Sequence, residues 1–166
     1  FLLVQNGRWF GKYPPGYPVV LALGVLLKAP WLINPLLATL TVPLLYLLGR
    51  RLYNGRIGLL AAGLMMLSPF FLFLSGSHMA HAAELFWLGL FMVCWEHAVG
   101  RKKQEHRGAQ SRRRVTQKFY FALLAGLAAG MAFLTRQLTA VAIVAPFFLL
   151  TTWASPLPWR WRLRRG

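Results

Sequence analysis

Between Lys28 and Arg50, between Arg56 and Glu84, between Lys118 and Arg136, and again between Arg136 and Arg160, the chain carries no aspartate, glutamate, lysine or arginine. Nothing else in the sequence restricts the fold as much. A helix at a protein surface in water needs a polar face, and runs of this length leave none. A bilayer asks for the opposite, about 20 apolar residues for each helix that crosses its roughly 30 Å hydrocarbon core. Apolar residues make up 57% of the 166 positions and charged ones 13%, the balance of a polytopic membrane protein. The expected fold is all-α, a bundle of about five transmembrane helices preceded by an interfacial helix.

Taken in order, Phe1 to Gly16 mixes Asn, Gly, Arg, Trp and Lys and closes on Lys12-Tyr13-Pro14-Pro15-Gly16. Paired prolines bar a helix interior and hold the residue before them extended, so this segment reads as loop. The start at Phe1, with no basic stretch leading to a cleavage site, reads as the interior of a longer chain and not as a signal peptide. Tyr17 to Leu27 is apolar but, at about eleven residues, too short to cross, and it suits the interface. Lys28, Pro30 and Trp31 mark a break at headgroup level. Residues 34–48, extended by Leu32 and Ile33, form a first span with Asn34 as N-cap and Pro35 in the first turn. A tight turn at Asn54-Gly55 leads to a second span over 57–74, kinked near Ser68-Pro69. Further spans follow over 82–99, 119–134 and 138–154, the last two separated by Thr135-Arg136-Gln137. Residues 1–33 thus form an external loop and interfacial helix, 34–154 a bundle with a basic loop at 100–118, and 155–166 a basic tail. Gly126-Leu127-Ala128-Ala129-Gly130 is a small-xxx-small pattern that lets helices approach closely. The lone Cys94 lies inside an apolar run and is expected to pack.

Of the 19 lysines and arginines, all but Arg8, Lys12, Lys28 and Arg136 fall in the loops at 49–56 and 100–118 and in the tail. If each span crosses once, these segments share one side, and the positive-inside rule makes it cytoplasmic. The net charge of +16 then reflects topology and contact with anionic membrane lipids, and nucleic acid is not an expected partner.

The same topology gathers Lys12, Tyr13, His78, His81, Glu84, Arg136 and Gln137 at the opposite, outer end. Ser75 to Glu84 alone holds two of the four histidines and one of the three acidic residues, and polar groups where spans meet cost free energy unless something uses them. This face is basic and rich in hydroxyls, with one carboxylate, so it suits an anionic ligand better than a metal cation. His78 and His81 have the i, i+3 spacing of two metal ligands, but without a further carboxylate or thiolate they make no metal site. They stand as phosphate or sugar contacts, or as helix-cap and interfacial polar residues. Glu84, one turn into its span, either favours the positive end of the helix dipole or takes part in chemistry. Arg136, at a break between spans, either snorkels to headgroups or clamps a phosphate.

Lys12-Tyr13-Pro14-Pro15-Gly16-Tyr17-Pro18, Asn34-Pro35-Leu36-Leu37, Leu44 to Tyr53, Leu67-Ser68-Pro69-Phe70 and Leu134-Thr135-Arg136, in this order, resemble the GT-C superfamily of integral-membrane glycosyltransferases, closest to bacterial lipid A aminoarabinose transferases and protein O-mannosyltransferases. The resemblance implies an enzyme of the bacterial inner membrane that moves a sugar from a polyprenyl-phosphate carrier to a periplasmic acceptor. It implies no cofactor. Carried over residue by residue, Lys12 and Tyr13 are the first donor-phosphate candidates and Arg136 the next, with His78 and His81 as contacts to phosphate or sugar. The family's catalytic carboxylate sits in a loop after an earlier span, which sets it upstream of Phe1 here. This chain contains no aspartate, so Glu84 is the one weak candidate for a base, and the stretch alone is expected to be inactive. The competing class is a transporter or flippase segment for a lipid-linked sugar, which would set its polar groups near mid-membrane on broken helices; here they gather at one end. A purely structural membrane subunit would give Lys12, His78 and Arg136 no shared reason to cluster.

Overall fold

The computed structural model describes the backbone of residues 2–5, 8–11, 14–99 and 111–154. Two short strands, β1 (Leu2–Gln5) and β2 (Arg8–Gly11), pair antiparallel with Gln5 opposite Arg8 and Leu2 opposite Gly11. This corrects the expectation of a loop over Phe1 to Gly16. The signal was present, because Asn6-Gly7 between two runs that contain Val4, Trp9 and Phe10 is the strongest short hairpin pattern.

Helices follow: α1 (Gly16–Leu26), α2 (Ile33–Leu52), α3 (Gly55–Leu67), α4 (Pro69–Gly76), α5 (His81–Val99), α6 (Ser111–Thr135) and α7 (Gln137–Ala154). α1 stops where Lys28 turns left-handed at φ 56°, and the amide of Ala29 bonds back to the Gly24 carbonyl. A short 3-10 turn, Pro30–Leu32, leads straight into α2. Because that turn supplies the first bends, Asn34 lies inside α2 and is not its cap, contrary to expectation. Asn54 caps α3 by accepting from the Ile57 amide at 2.9 Å, and Ser68 caps α4 by accepting from the Phe71 amide.

Pro30–Leu52, His81–Val99 and Thr116–Thr135 are each long and apolar enough to cross a membrane. The pair α3 and α4 adds a fourth candidate, bent by 62° at Ser68-Pro69, where proline removes a donor and ends one helix at the residue before it. Gly16–Leu26 and Gln137–Leu149 are shorter apolar helices. The protein is thus integral to the membrane, and its described elements are all helical apart from the hairpin. α6 starts at Ser111, within the stretch expected as loop; no glycine or proline interrupts residues 111–125, so the helix runs on past the apolar part.

α5 is the central element. It packs most extensively on α6 and also on α2. Its face of Phe91 and Cys94 meets Ala125 and Ala128, and Leu88 meets Ala132 and Ala140. Small alanines let these helices come close without a polar contact, and dispersion over that surface holds them. Gly126 and Gly130 point elsewhere, with no atom within 4 Å of the position of an added Cβ, so the close approach expected of them belongs to the alanines. Glycine matters instead where α2 crosses α3: a Cβ on Gly58 would stand 2.6 Å from the Tyr46 carbonyl oxygen.

Candidate functional site

Three segments that are distant in sequence meet where α5 begins. The first is Ser77 to Ala80, ahead of His81. Asn34, buried in the first turn of α2, donates through Nδ2 to the carbonyls of Ser77 and Met79, the latter at 2.8 Å. One side chain thus fixes this segment over the start of α5, and it does so across more than forty residues of sequence. The second segment is the break between α6 and α7. Thr135 turns its hydroxyl back to the Met131 carbonyl at 2.7 Å, and Arg136 alone separates the helices. Its amide bonds to Ala132 O, and its carbonyl accepts from the Ala140 amide. The third is the start of α1. A Cβ on Gly16 would lie 2.6 Å from the Leu134 carbonyl carbon, a gap that only glycine allows, so Pro14-Pro15-Gly16 abuts Leu134-Thr135.

At this junction Arg136 Nη1 donates to His81 Nδ1 at 2.6 Å. A guanidinium has donors only, so the contact requires an unprotonated Nδ1 and a neutral imidazole. One turn along α5 from His81 stands Glu84. It is 3% exposed, and neither carboxylate oxygen has a hydrogen-bond partner. His78 and Arg136 are exposed and His81 is half-buried. The structure therefore brings His81, Glu84 and Arg136 to one end of the bundle, with His78 in the adjoining segment. Lys12 and Tyr13 lie outside the described residues.

Sequence reasoning missed three residues here. Asn34 holds the Ser77 to Ala80 segment. Tyr17 on α1 and Trp87 on α5 both pack on Val20, Leu37 and Ala83, and each buries a polar atom without a partner. Burial pushes the Tyr17 phenol up from its ordinary value, and the neighbouring Asn34 side chain draws it partly back. The available signal was a tryptophan three residues after the only glutamate in its half of the span, since i and i+3 share a helix face.

Among the described residues no three His, Cys, Asp or Glu side chains converge as a metal site would require. An apolar groove of about 350 Å³ runs between α6 and α7, lined by Ala129, Phe133, Ala140, Val141, Val144, Ala145, Phe148 and Leu149. Phe133 and Ala140, two of its lining residues, stand three residues before and four after Arg136 in the chain. A guanidinium and an apolar trough together suit an amphipathic anion.

The family model described as dolichyl-phosphate-mannose-protein mannosyltransferase matches residues 31–159. Comparison with curated proteins and with solved structures finds no match.

Proposed function

The chain belongs to the dolichyl-phosphate-mannose-protein mannosyltransferase family, a family of GT-C membrane glycosyltransferases that use a polyprenyl-phosphate sugar donor, and from that premise we propose that the Arg136 end of the bundle holds the phosphate of such a donor. The observation that carries this reading is the Arg136 guanidinium at the α6–α7 break, bonded to a neutral His81, with Phe133 and Ala140 on either side of it in the chain lining an apolar groove. The phosphate takes the guanidinium, and the isoprenoid chain follows the groove. His78 adds a donor from the adjoining segment, and Lys12 and Tyr13 complete the contacts from the stretch before Pro14-Pro15.

In the reaction, the acceptor hydroxyl oxygen attacks the anomeric carbon from the side opposite the phosphate. The bond from that carbon to the phosphate oxygen breaks, the electron pair leaves with the polyprenyl phosphate, and the hydroxyl proton passes to a general base. Arg136 and Lys12 offset the charge that grows on the departing phosphate, a role whose loss typically costs on the order of 100-fold in turnover. The strong bias of basic residues to the other end supports a site facing the periplasm, away from the cytoplasm. On this reading the enzyme works in a bacterial inner membrane and its acceptor is a lipid, glycan or protein of the envelope.

The test uses the complete protein in lipid. Arg136→Ala and Lys12→Ala are expected to lower transfer of the sugar by about 100-fold with the amount of folded protein unchanged. Full activity in both variants overturns the assignment, and movement of the lipid across the membrane without cleavage of the sugar–phosphate bond points to a transporter instead.

A further inference from the structure

Among the described residues, five buried side-chain atoms have no hydrogen-bond partner: Tyr17 Oη, Asn34 Oδ1, both oxygens of Glu84 and the indole nitrogen of Trp87. They come from α1, α2 and α5, yet they are neighbours. Tyr17 and Trp87 pack on the same cluster, which includes Ala83, the residue before Glu84. Glu84 and Trp87 share a face of α5, and Tyr17 lies beside Asn34. Elsewhere the same bundle pairs its polar groups, as Thr41 and Thr135 do with the carbonyls one turn back. Native interiors leave few buried polar atoms without a partner, and an unpartnered carboxylate is the costliest of them. Four such side chains lie together, and the described residues supply none of these atoms with a partner.

The chemistry of the missing partner follows from the donors and acceptors. Glu84 and Asn34 Oδ1 accept, the Trp87 indole only donates, and the Tyr17 hydroxyl does both. A fully ionised phosphate, which only accepts, leaves Asn34 Oδ1 unpaired. A cation has no use for the Trp87 N–H. A ring that carries several hydroxyls, each able to donate and to accept, satisfies all four, and the Tyr17 and Trp87 rings offer apolar faces to its C–H groups. One turn away on α5 stands His81 with Arg136, so a phosphate held there leaves its attached ring within reach of Glu84.

We infer that Glu84, Trp87, Tyr17 and Asn34 form a sugar-recognition site that reads the hydroxyls of the donor's sugar, one helical turn from the Arg136 phosphate contact. The inference rests on the donor reading above and adds to it the residues that choose the sugar. Binding here makes and breaks hydrogen bonds only. Glu84 is closed to water. Asn34 holds the Ser77 to Ala80 segment with its amide nitrogen while its oxygen has no partner, which ties that segment to the site.

The experiment compares two probes on the intact protein in lipid nanodiscs: polyprenyl-phosphate mannose and the same polyprenyl phosphate without sugar. Wild type is expected to prefer the mannosyl lipid. Glu84→Gln and Trp87→Phe are expected to lose about 10- to 100-fold in affinity for the mannosyl lipid, the worth of a hydrogen bond to a charged or buried group, with affinity for the sugar-free lipid unchanged. The ligand-free melting temperature of Glu84→Gln should equal or exceed that of wild type, because a neutral amide replaces an unpartnered carboxylate. Unchanged preference in both variants overturns the inference and leaves the donor reading standing. A fall in melting temperature with equal loss of both lipids assigns these residues to structure and also overturns it. Wild type that binds neither lipid overturns the inference together with the donor reading.

Discussion

The two ends of α5, about 28 Å apart at 1.5 Å per residue, handle polar groups in opposite ways. At the Arg51 end no described side chain buries a polar atom without a partner. Arg51 Nη2 donates to the Glu96 carbonyl at 2.9 Å, His97 bonds the Val93 carbonyl at 2.8 Å, and its ring stacks on Phe121 with centroids 4.7 Å apart. Beside them Gly49 and Gly58 bring α2 and α3 into backbone contact. At the Arg136 end the same helix buries Glu84 and Trp87 without partners, against Tyr17 and Asn34 in the same condition. Both ends are flanked by arginines and carry histidine, so residue type alone does not separate them. The difference lies in whether the polar atoms are satisfied within the chain. Where they are, they fix helices together; where they are not, the bundle carries the cost, and the proposed ligand would offset it.

This contrast predicts where substitutions act. The largest effect on stability belongs to the closed end: Gly58→Val drives side-chain atoms into the Tyr46 carbonyl and the Arg50 amide, 2.6 and 2.8 Å from an added Cβ. Because the obstacle is backbone, the loss should reach about 3 kcal/mol, seen as a sharp fall in melting temperature or in the yield of folded protein. Wild-type stability would break the account of how α2 and α3 cross. Asn34→Leu comes next. It strips the Ser77 and Met79 carbonyls of their donor but also removes one unpartnered oxygen, so a net cost of about 1–2 kcal/mol is expected, with proteolysis or hydrogen exchange concentrated at residues 77–80. Exchange that rises evenly along the chain would contradict a local latch. The smallest effect is a gain: Gly126→Ala and Gly130→Ala face open space and should stabilise α6 by about 0.5–1 kcal/mol each through helix propensity, read by thermal denaturation. A loss there would mean that another helix packs on that face.

Much of the fold was legible because hydropathy and proline carry it. The uncharged runs located α2, α5 and α6, and Ser68-Pro69 marked the 62° bend, since both signals act locally. The meeting of His81, Glu84 and Arg136 was also legible, for alternating spans put their ends on one side. The hairpin went unread although Asn6-Gly7 announced it. Asn34 was taken for a cap because its partners lie 43 and 45 residues away, and no local rule reaches that far. The small-residue pattern of α6 misled for a different reason: glycines and alanines alternate around the helix, and only packing decides that Ala125, Ala128 and Ala132 face α5. Tyr17 and Trp87 stayed hidden because an aromatic in an apolar run reads as core until its polar atom is found without a partner.

The central claim, that the open end receives a lipid phosphate and the closed end does not, is tested most directly by the affinity of polyprenyl phosphate for the intact protein in nanodiscs, compared between Arg136→Ala and Arg51→Ala. The account predicts a loss of about 10- to 100-fold for Arg136→Ala, as for a charge-assisted bond to phosphate, and wild-type affinity for Arg51→Ala. Equal losses in both variants, or a loss confined to Arg51→Ala, would contradict it.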